Sequence, residues 1–437
     1  MSEPLIPKDI LSNPAPIVGE VEAFLQMALA TFSPEPPRST RKGRPAILPS
    51  LCLWAGLLVC ILRGATSQLA LWRLLYLGQL WSYPRFAISD EALYKRLARS
   101  GTLPLQTLFD QISQLLTQRL GSLASLSLAP FASEVLALDE TTLDQIARSL
   151  PALRELKAGD DQLLPGKLSA LFDLRRQQWS KIEYQAAPHH NEKVAAREMV
   201  SALPKGALVL ADLGYFGFEW FDWLTDQQLW WVSRLREKTS YTIVHTFYEQ
   251  ADTKDQLIWL GAYRADQAAH AVRLVQFRLG PTLHRYLTNV LEPARLPILE
   301  IARLYARRWD IELAFKTLKV HFKLHLLWSA KPVIILQQVW ATLIIAQILQ
   351  ALQMELAARA GVDPFDVSLA LMVQYLPQFA LDGKDSLSEF LRYGREVSFI
   401  RASSRTKVRA PQPSLELYEP RPPTLILERK ARYAHKT

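Results

Sequence analysis

Two aspartates in this chain directly follow short apolar runs: Asp139 comes after EVLAL at 134–138, and Asp212 after ALVLA at 207–211. Runs of that length and composition read as buried strands. Both acids are therefore expected at the C-terminal ends of strands, where α/β sheets present ligands and reacting groups. Leu213 and Gly214 come next, and the glycine lets the backbone fold back beside whatever Asp212 holds. Taken singly, an Asp after a strand is often no more than a turn residue or a helix cap. The pair says more, because two carboxylates at neighbouring strand ends repel unless a cation lies between them. Oxygen ligands of this kind suit a hard divalent ion such as Mg²⁺, which keeps several of its waters.

A third acid, Glu312, sits in YARRWDIELAFKTLK at 305–319. On a helix, Tyr305, Arg308, Glu312 and Lys319 recur at spacings of three, four and seven and so share a face. A metal-and-phosphate site requires such a mixture: the carboxylate for the ion, and the two cations for phosphates on either side. Trp309 adds an indole able to stack on a distorted base, or to pack against a neighbouring element. The same residues would also make a solvated helix face, with Arg308 and Glu312 as an ordinary i,i+4 ion pair.

The elements that must position these groups follow from the hydrophobic period. Residues 14–130 are Leu-rich and read as helices, broken at 33–45 by SPEPPRSTRKGRP. Ser89, followed by two acids and later by bases, has the form of a capped helix start. From Ser133 the pattern turns to strands at 134–138, 167–174, 179–187, 207–211 and 229–235, with helices at 191–203 and near 218–225. Strands and helices in this order make an α/β unit with a mixed sheet. Four more strands are expected at 241–247, 257–263, 271–279 and 284–291, and then one long helix from about Leu296 past Glu312. The remainder reads as helical to about Arg392 and ends in a basic, Pro-containing tail.

Tyr305, Arg308, Glu312 and Lys319 fill the pattern Tyr-x2-Arg-x3-Glu-x6-Lys without gaps. In this the chain resembles the YREK-signature group of bacterial insertion-sequence transposases, the IS-four family of DDE transposases. The stretches LDETT at 138–142 and ADLGYF at 211–216 look like that family's first and second acidic motifs, in the same order. The resemblance covers about residues 130–325. It implies an α/β fold: a ribonuclease H-like catalytic core with a β-rich insertion, flanked by helical N- and C-terminal regions. The implied regions are 1–130, helical and DNA-binding; 131–237, the first part of the core; 238–295, the insertion; 296–330, the last catalytic helix; and 331–437, a helical C-terminal region with the basic tail.

The resemblance also implies an activity. Asp139, Asp212 and Glu312 would form the catalytic triad and ligate two Mg²⁺ ions, with Mn²⁺ as a substitute. They would cut DNA at the element's ends and join those ends to target DNA, in cut-and-paste transposition through a hairpin intermediate. Tyr305, Arg308, Trp309 and Lys319 would contact the DNA. The implied partners are double-stranded DNA, as terminal inverted repeats and as target, and a second copy of the chain on paired ends. The implied location is the bacterial cytoplasm, on the nucleoid. Two rival readings keep the fold or the acids: a transposase-derived DNA-binding protein without catalysis, and a stand-alone RNase H-fold nuclease. The intact acids speak against the first, and the YREK helix with the extra terminal regions against the second.

Composition narrows the class further. A net charge of +9 permits a polyanionic partner, and 49% hydrophobic residues make disorder the wrong default. Cys52 and Cys60 lie in one apolar segment; on a helix they would stand about 12 Å apart, too far for a disulfide. A disulfide-stapled secreted scaffold is excluded, and a reducing cytosol fits. The stretch 332–354 is uncharged and long enough to span a bilayer. Gln337, Gln338, Gln347, Gln350 and Gln353 interrupt it, so it is expected to be a buried helix, with no membrane partner. Weaker candidates are His189 and His190 after a strand, the minor-groove-type RKGRP at 41–45, and 89–97 as part of a helix-turn-helix. Each is equally an ordinary loop, linker or helix. No Cys or His set has zinc spacing, and no Gly-rich phosphate loop occurs.

Overall fold

The computed structural model describes residues 19–32, 47–121, 123, 128–143, 155–157, 166–186, 192–262, 266–324, 326–329, 331–405 and 407–433. The basic run at 41–45, His189 and His190 lie outside these. The chain divides into two compact units. One comprises Met1–Leu123, Thr142–Pro165 and Ala314–Ala402, and the other Ala124–Thr141, Gly166–Leu313 and Ser403–Thr437.

The first unit is helical. Its leucine-rich sequence forms helices at Gly19–Ala30, Ser50–Leu62, Gln68–Tyr76, Asp90–Ser100 and Leu103–Arg119, then Pro332–Ala360, Leu369–Leu381 and Ser386–Arg392. Ser89 caps the Asp90–Ser100 helix by accepting the Ala92 N–H at 3.2 Å, and Asp90 and Glu91 occupy its first turn. The Pro332–Ala360 helix begins at a proline and stops at Gly361, which takes the left-handed conformation (φ 64°). By length and composition it could cross a membrane, yet 83% of its most apolar window is buried inside the protein. Four of its glutamines, Gln337, Gln338, Gln347 and Gln353, find partners there. Gln337 donates to the carbonyls of Leu97 (2.9 Å) and Gly101 (2.7 Å), and Gln347 to Ser113 Oγ (2.6 Å). Amides that would be costly in hydrocarbon are thus bonded to neighbouring helices. Cys52 and Cys60 are both buried and unbridged on Ser50–Leu62.

The second unit is built on one nine-stranded sheet: β1 (Val135–Thr142), β2 (Lys167–Asp173), β3 (Gln178–Gln185), β4 (Leu208–Ala211), β5 (Trp230–Arg234), β6 (Tyr241–Gln250), β7 (Thr253–Leu260), β8 (Val272–Leu279) and β9 (Thr282–Thr288). The strand order is β3-β2-β1-β4-β5-β9-β8-β7-β6. β1, β4 and β5 run parallel, whereas β9 joins β5 antiparallel and β9 to β6 form an antiparallel meander. The four later strands therefore continue the core sheet. Helices Glu192–Val200 and Phe218–Asp226 cover one face, packing Met199, Val200, Trp220 and Phe221 onto Leu136, Leu138, Val209, Ala211 and Trp231. The amphipathic Ile298–Arg307 helix buries Ile301, Leu304 and Tyr305, and Tyr305 meets Tyr286 of β9 with ring centroids 5.2 Å apart.

Three expectations change. β1 runs on to Thr142, so Asp139 lies within the strand instead of after it. The expected single helix is two, Ile298–Arg307 and Trp309–Val320, meeting at Arg308. There the Arg308 N–H is shared between the carbonyls of Leu304 and Tyr305, as in the tightened last turn of many helices. The basic tail, expected at the end of a helical region, belongs to the sheet unit. Arg429 donates to the carbonyls of Ala268 and Leu260, each at 2.8 Å, and Gln267 forms a bridge with Arg432.

A fully buried ion pair, Arg273–Asp255, holds β8 to β7 with contacts of 2.7 and 2.5 Å, and Arg273 also donates to the Leu296 carbonyl at 2.7 Å. Arg273→Ala strands a buried carboxylate and should cost about 3–5 kcal/mol, read from urea unfolding. Asp255→Leu/Arg273→Met should recover most of that loss. Equal destabilisation by the single and double variants would refute this account.

Candidate active site

In the sheet, Leu138 of β1 lies opposite Ala211 of β4, and Leu210 of β4 opposite Val232 of β5. Carrying both registers onward places Asp139, Asp212 and Arg234 in one row across three parallel strands. Side chains alternate along a strand. Leu138, Ala211 and Trp231 face the helix-covered core, so the row faces the other way. Arg234 accordingly reaches the Tyr305 ring, 5.8 Å from its centroid. The Ile298–Arg307 helix and the start of the next bring Tyr305, Arg308 and Glu312 to the same face.

Each acid has one oxygen committed within the chain. Asp139 Oδ1 accepts the Glu140 N–H at 2.8 Å, Asp212 Oδ1 accepts the Gly214 N–H at 2.7 Å, and Glu312 Oε1 accepts Arg308 Nη2 at 2.6 Å. The second oxygens have no hydrogen-bond donor among the described residues. The Asp212 turn requires glycine for proximity, since a Cβ on residue 214 would stand 2.9 Å from Asp212 Oδ1. Burial pushes the Asp139 carboxyl up to about 6; the Glu140 amide and Arg308 oppose the rise, while Asp212 and Glu312 add to it. The three acids and Arg308 thus share one electrostatic neighbourhood. Among the described residues, no three His, Cys, Asp or Glu side chains are gathered at metal-binding spacing. Glu312 is turned to Arg308, whose Nη2 it accepts at 2.6 Å.

Arg308 is nearly buried, and its Nε and Nη1 have no acceptor in bonding geometry. Burial works against its charge, but Glu312, Tyr305 and Asp139 outweigh that and raise its pKa. Burial also raises the Tyr305 phenol, with Arg308 and Arg234 opposing. Trp309 is 54% exposed, with the Arg308 guanidinium 5.1 Å from its ring centroid. Lys319 lies further along the Trp309–Val320 helix and is half-buried.

Several supporting residues carried no signal in the sequence. Asp310, fully buried, accepts Arg307 Nε (2.6 Å), Gln177 Nε2 (2.9 Å) and Arg405 Nη2 (2.7 Å). These bonds tie the helix bearing Glu312 to the β2–β3 turn and to the tail. Arg175, in the same turn, donates to the carbonyls of Leu128, Ala129, Ala132 and Ser133 just ahead of β1. Glu140 points away from Asp139 and is held by Lys167 Nζ and Ser169 Oγ, each at 2.7 Å. Arg234 was detectable: its strand, LWWVSRL at 229–235, ends level with the two acids.

Residues 133–348 match the family model of the transposase DDE domain, a span that includes all three acids. The chain is 24% identical over 336 residues to the transposase for insertion sequence element IS231F of Bacillus thuringiensis subsp. israelensis, covering 64% of this chain and 67% of that one. It is 22% identical over 301 residues to the transposase for insertion sequence element IS231B of Bacillus thuringiensis subsp. berliner, covering 57% and 62%. The chain thus spans about two thirds of the length of the curated relatives it matches. Among solved structures it is similar to a piggyBac transposase synaptic complex with hairpin DNA, with a TM-score of 0.43, 10% identity, and coverage of 89% of this chain and 82% of that chain.

The raised Asp139 carboxyl has a consequence for stability. Unfolded, it releases its proton near pH 4, about two units below its folded value. The native state therefore holds the extra proton between those values, and stability falls as pH rises through that window. Asp139→Asn removes the ionised form. In metal-free buffer it should melt above wild type at pH 7.5, with the difference closing below pH 4. A variant no more stable than wild type at pH 7.5 would contradict the buried, acid-flanked setting of this carboxyl.

Proposed function

We propose that this chain, whose residues 133–348 match the transposase DDE domain and which is similar to insertion-sequence transposases, cuts DNA at the ends of its element and joins them to target DNA. Asp139, Asp212 and Glu312 are the catalytic carboxylates. The supporting observation is that Asp212 and Glu312 both lie within electrostatic reach of Asp139, each of the three acids having one oxygen bonded within the chain and one left over. The first five strands, ordered β3-β2-β1-β4-β5, are read as the ribonuclease H-like core, with β6 to β9 as its insertion.

The donors are of the kind a hard divalent cation takes: carboxylate oxygens, with the charges of Asp212 and Glu312 felt at a desolvated Asp139 and offset by Arg308. Mg²⁺, with Mn²⁺ as a substitute, is the ion this set would hold; when bound, it supplies Lewis acidity and charge neutralisation at a phosphodiester. The residues do the rest. Asp139 must lose its proton before it can ligate, and because burial raises its carboxyl, proton and metal ion would compete for it. Glu312, with its side chain 31% exposed, has room to exchange the Arg308 guanidinium for an ion. Arg308 then offers its orphaned Nε and Nη1 to non-bridging phosphate oxygens, which a planar fork can hold together. Arg234 and Lys319 supply further positive charge for the DNA backbone, Tyr305 a phenol, and Trp309 an exposed indole face for a distorted base.

The finer parts of the proposal come from the YREK resemblance. They are cut-and-paste excision through a hairpin, double-stranded terminal repeats and target DNA as substrates, two copies on paired ends, and a place on the bacterial nucleoid.

The test uses duplex DNA bearing the element's terminal inverted repeats with Mg²⁺ present. Wild type should give nicks and joined products. Asp139→Asn and Glu312→Gln should each lower both by at least about 10²-fold. Arg308→Lys should lower both about tenfold or more, because a point charge cannot replace the fork. Nicking that survives in Asp139→Asn would sink the assignment; nicks without joined products would make the protein a nuclease.

A further inference from the structure

The helical unit contains a cavity of about 540 Å³, bounded by the starts of the Ser50–Leu62 and Leu103–Arg119 helices and by the Asp90–Ser100 helix. Ser50 and Trp54 line one side; Lys95, Arg96, Arg99 and Ser100 line another. The last four fall on one stripe of the Asp90–Ser100 helix, at spacings of three and four. That helix keeps its two acids, Asp90 and Glu91, in the opposite end's first turn. No carboxylate is among the described residues that line the cavity.

The donors around it are unevenly engaged. Arg96 Nη2 donates to Ser50 Oγ at 2.6 Å, which ties the two sides together. Lys95 pairs only with Glu91 at i,i+4, with both side chains mostly exposed, so water screens the bond and a stronger anion can replace it. Arg99 is exposed, with no hydrogen bond or ion pair among the described residues. Trp54 is 1% exposed, yet its indole N–H has no acceptor there. Three cations, the Ser50 hydroxyl and an indole N–H, with no acid among the described lining residues, define a site for an oxyanion; the Ser100 hydroxyl is already given to the Arg96 carbonyl at 2.8 Å.

We propose that this cavity binds backbone phosphate of duplex DNA, giving the helical unit a DNA contact of its own. The anion site stands on the cavity's residues alone; DNA as the phosphate's source rests on the transposase reading. Two features favour a polymer over a free ion. The cavity is far roomier than one phosphate, and Lys95 to Arg99 spreads charge over about 6 Å of helix.

The test measures binding, not cutting. Full-length Asp139→Asn protein is titrated with a short labelled duplex over a range of salt concentrations. Lys95→Ala/Arg99→Ala in that background should weaken binding about tenfold or more near 0.1 M salt, and should flatten the plot of log K against log salt by about two. Lys95→Arg/Arg99→Lys should restore both. Trp54→Phe, which keeps the ring, should weaken binding without changing the slope. Both cations are solvent-facing, and an unchanged melting temperature in the double variant will confirm that it is folded. In parallel, inorganic phosphate is titrated calorimetrically into DNA-free protein; weak binding, lost in the double variant and displaced by duplex, is expected. Unchanged duplex affinity and slope in the double variant would overturn the proposal. So would phosphate binding that the double variant loses while duplex binding stays intact, which would make this a small-anion site. An enzyme that binds duplex through the cavity yet never cuts would instead sink the catalytic reading and leave this one standing.

Discussion

A slip of one residue between β1 and β4 would turn either Asp139 or Asp212 to the opposite face of the sheet, because side chains alternate along a strand. The acids cannot enforce the register themselves, since bringing two carboxylates together is unfavourable. It is enforced from the other face. Leu136 and Leu138 of β1, Val209 and Ala211 of β4 and Trp231 of β5 are packed beneath two helices, with Trp231 stacked on Phe221 at 4.2 Å. A slip would carry those residues out of the core, and burying one such side chain contributes about 1.5–3 kcal/mol. The hydrophobic face thus holds in place a charged face that would otherwise disperse.

The third acid arrives by a different route. Glu312 depends on where its helix begins, and Asp310, two residues earlier, sets that. Its buried carboxylate collects Arg307 from its own turn, Gln177 from the β2–β3 turn and Arg405 from the tail. A buried carboxylate with several charge-assisted partners is stable only in that one arrangement, and removing a partner is costly. The tail therefore acts as a strap on the helix that bears Glu312, and its basic residues are partly engaged in structure. This also explains why the long helix is divided at Arg308. Arg307 and Asp310, before and after it, are bonded to the β2–β3 turn, while Arg308 itself pairs with Glu312.

Much of this was legible in the sequence wherever hydrophobic period carried the information. The strand that carries Asp139 and the strand that leads into Asp212 announce themselves as short apolar runs, and the face shared by Tyr305, Arg308 and Glu312 follows from helical spacing. The nine strands fall close to where the alternation puts them, although β1 runs four residues past the apolar stretch because Glu140 is held by Lys167 and Ser169. What the sequence withheld are contacts between distant segments. Arg405 lies 95 residues from Asp310, and nothing in SSRTK marks it as a partner. Arg175 reads as a polar turn residue and is in fact a clasp on four carbonyls. The joining of β9 to β5 was equally hidden, because periodicity gives strands but not their neighbours.

The three buried arginines of the sheet unit show how structure separates a supporting cation from a working one. Arg273 has acceptors for all three nitrogens, two from Asp255 and one from the Leu296 carbonyl. Arg175 is likewise satisfied by backbone carbonyls. Arg308 is as buried, but only Nη2 is bonded, leaving Nε and Nη1 without acceptors. Leaving buried donors unpaired costs about 1–3 kcal/mol each, and a fold has no structural reason to retain them beside three acids. An incoming anion with two oxygens removes that cost, and the same anion is repelled by Asp139, Asp212 and Glu312 until their charge is neutralised. Under the proposed activity, anion and cation would each make room for the other in this pocket. That mutual dependence is what a phosphodiester and a divalent ion would satisfy.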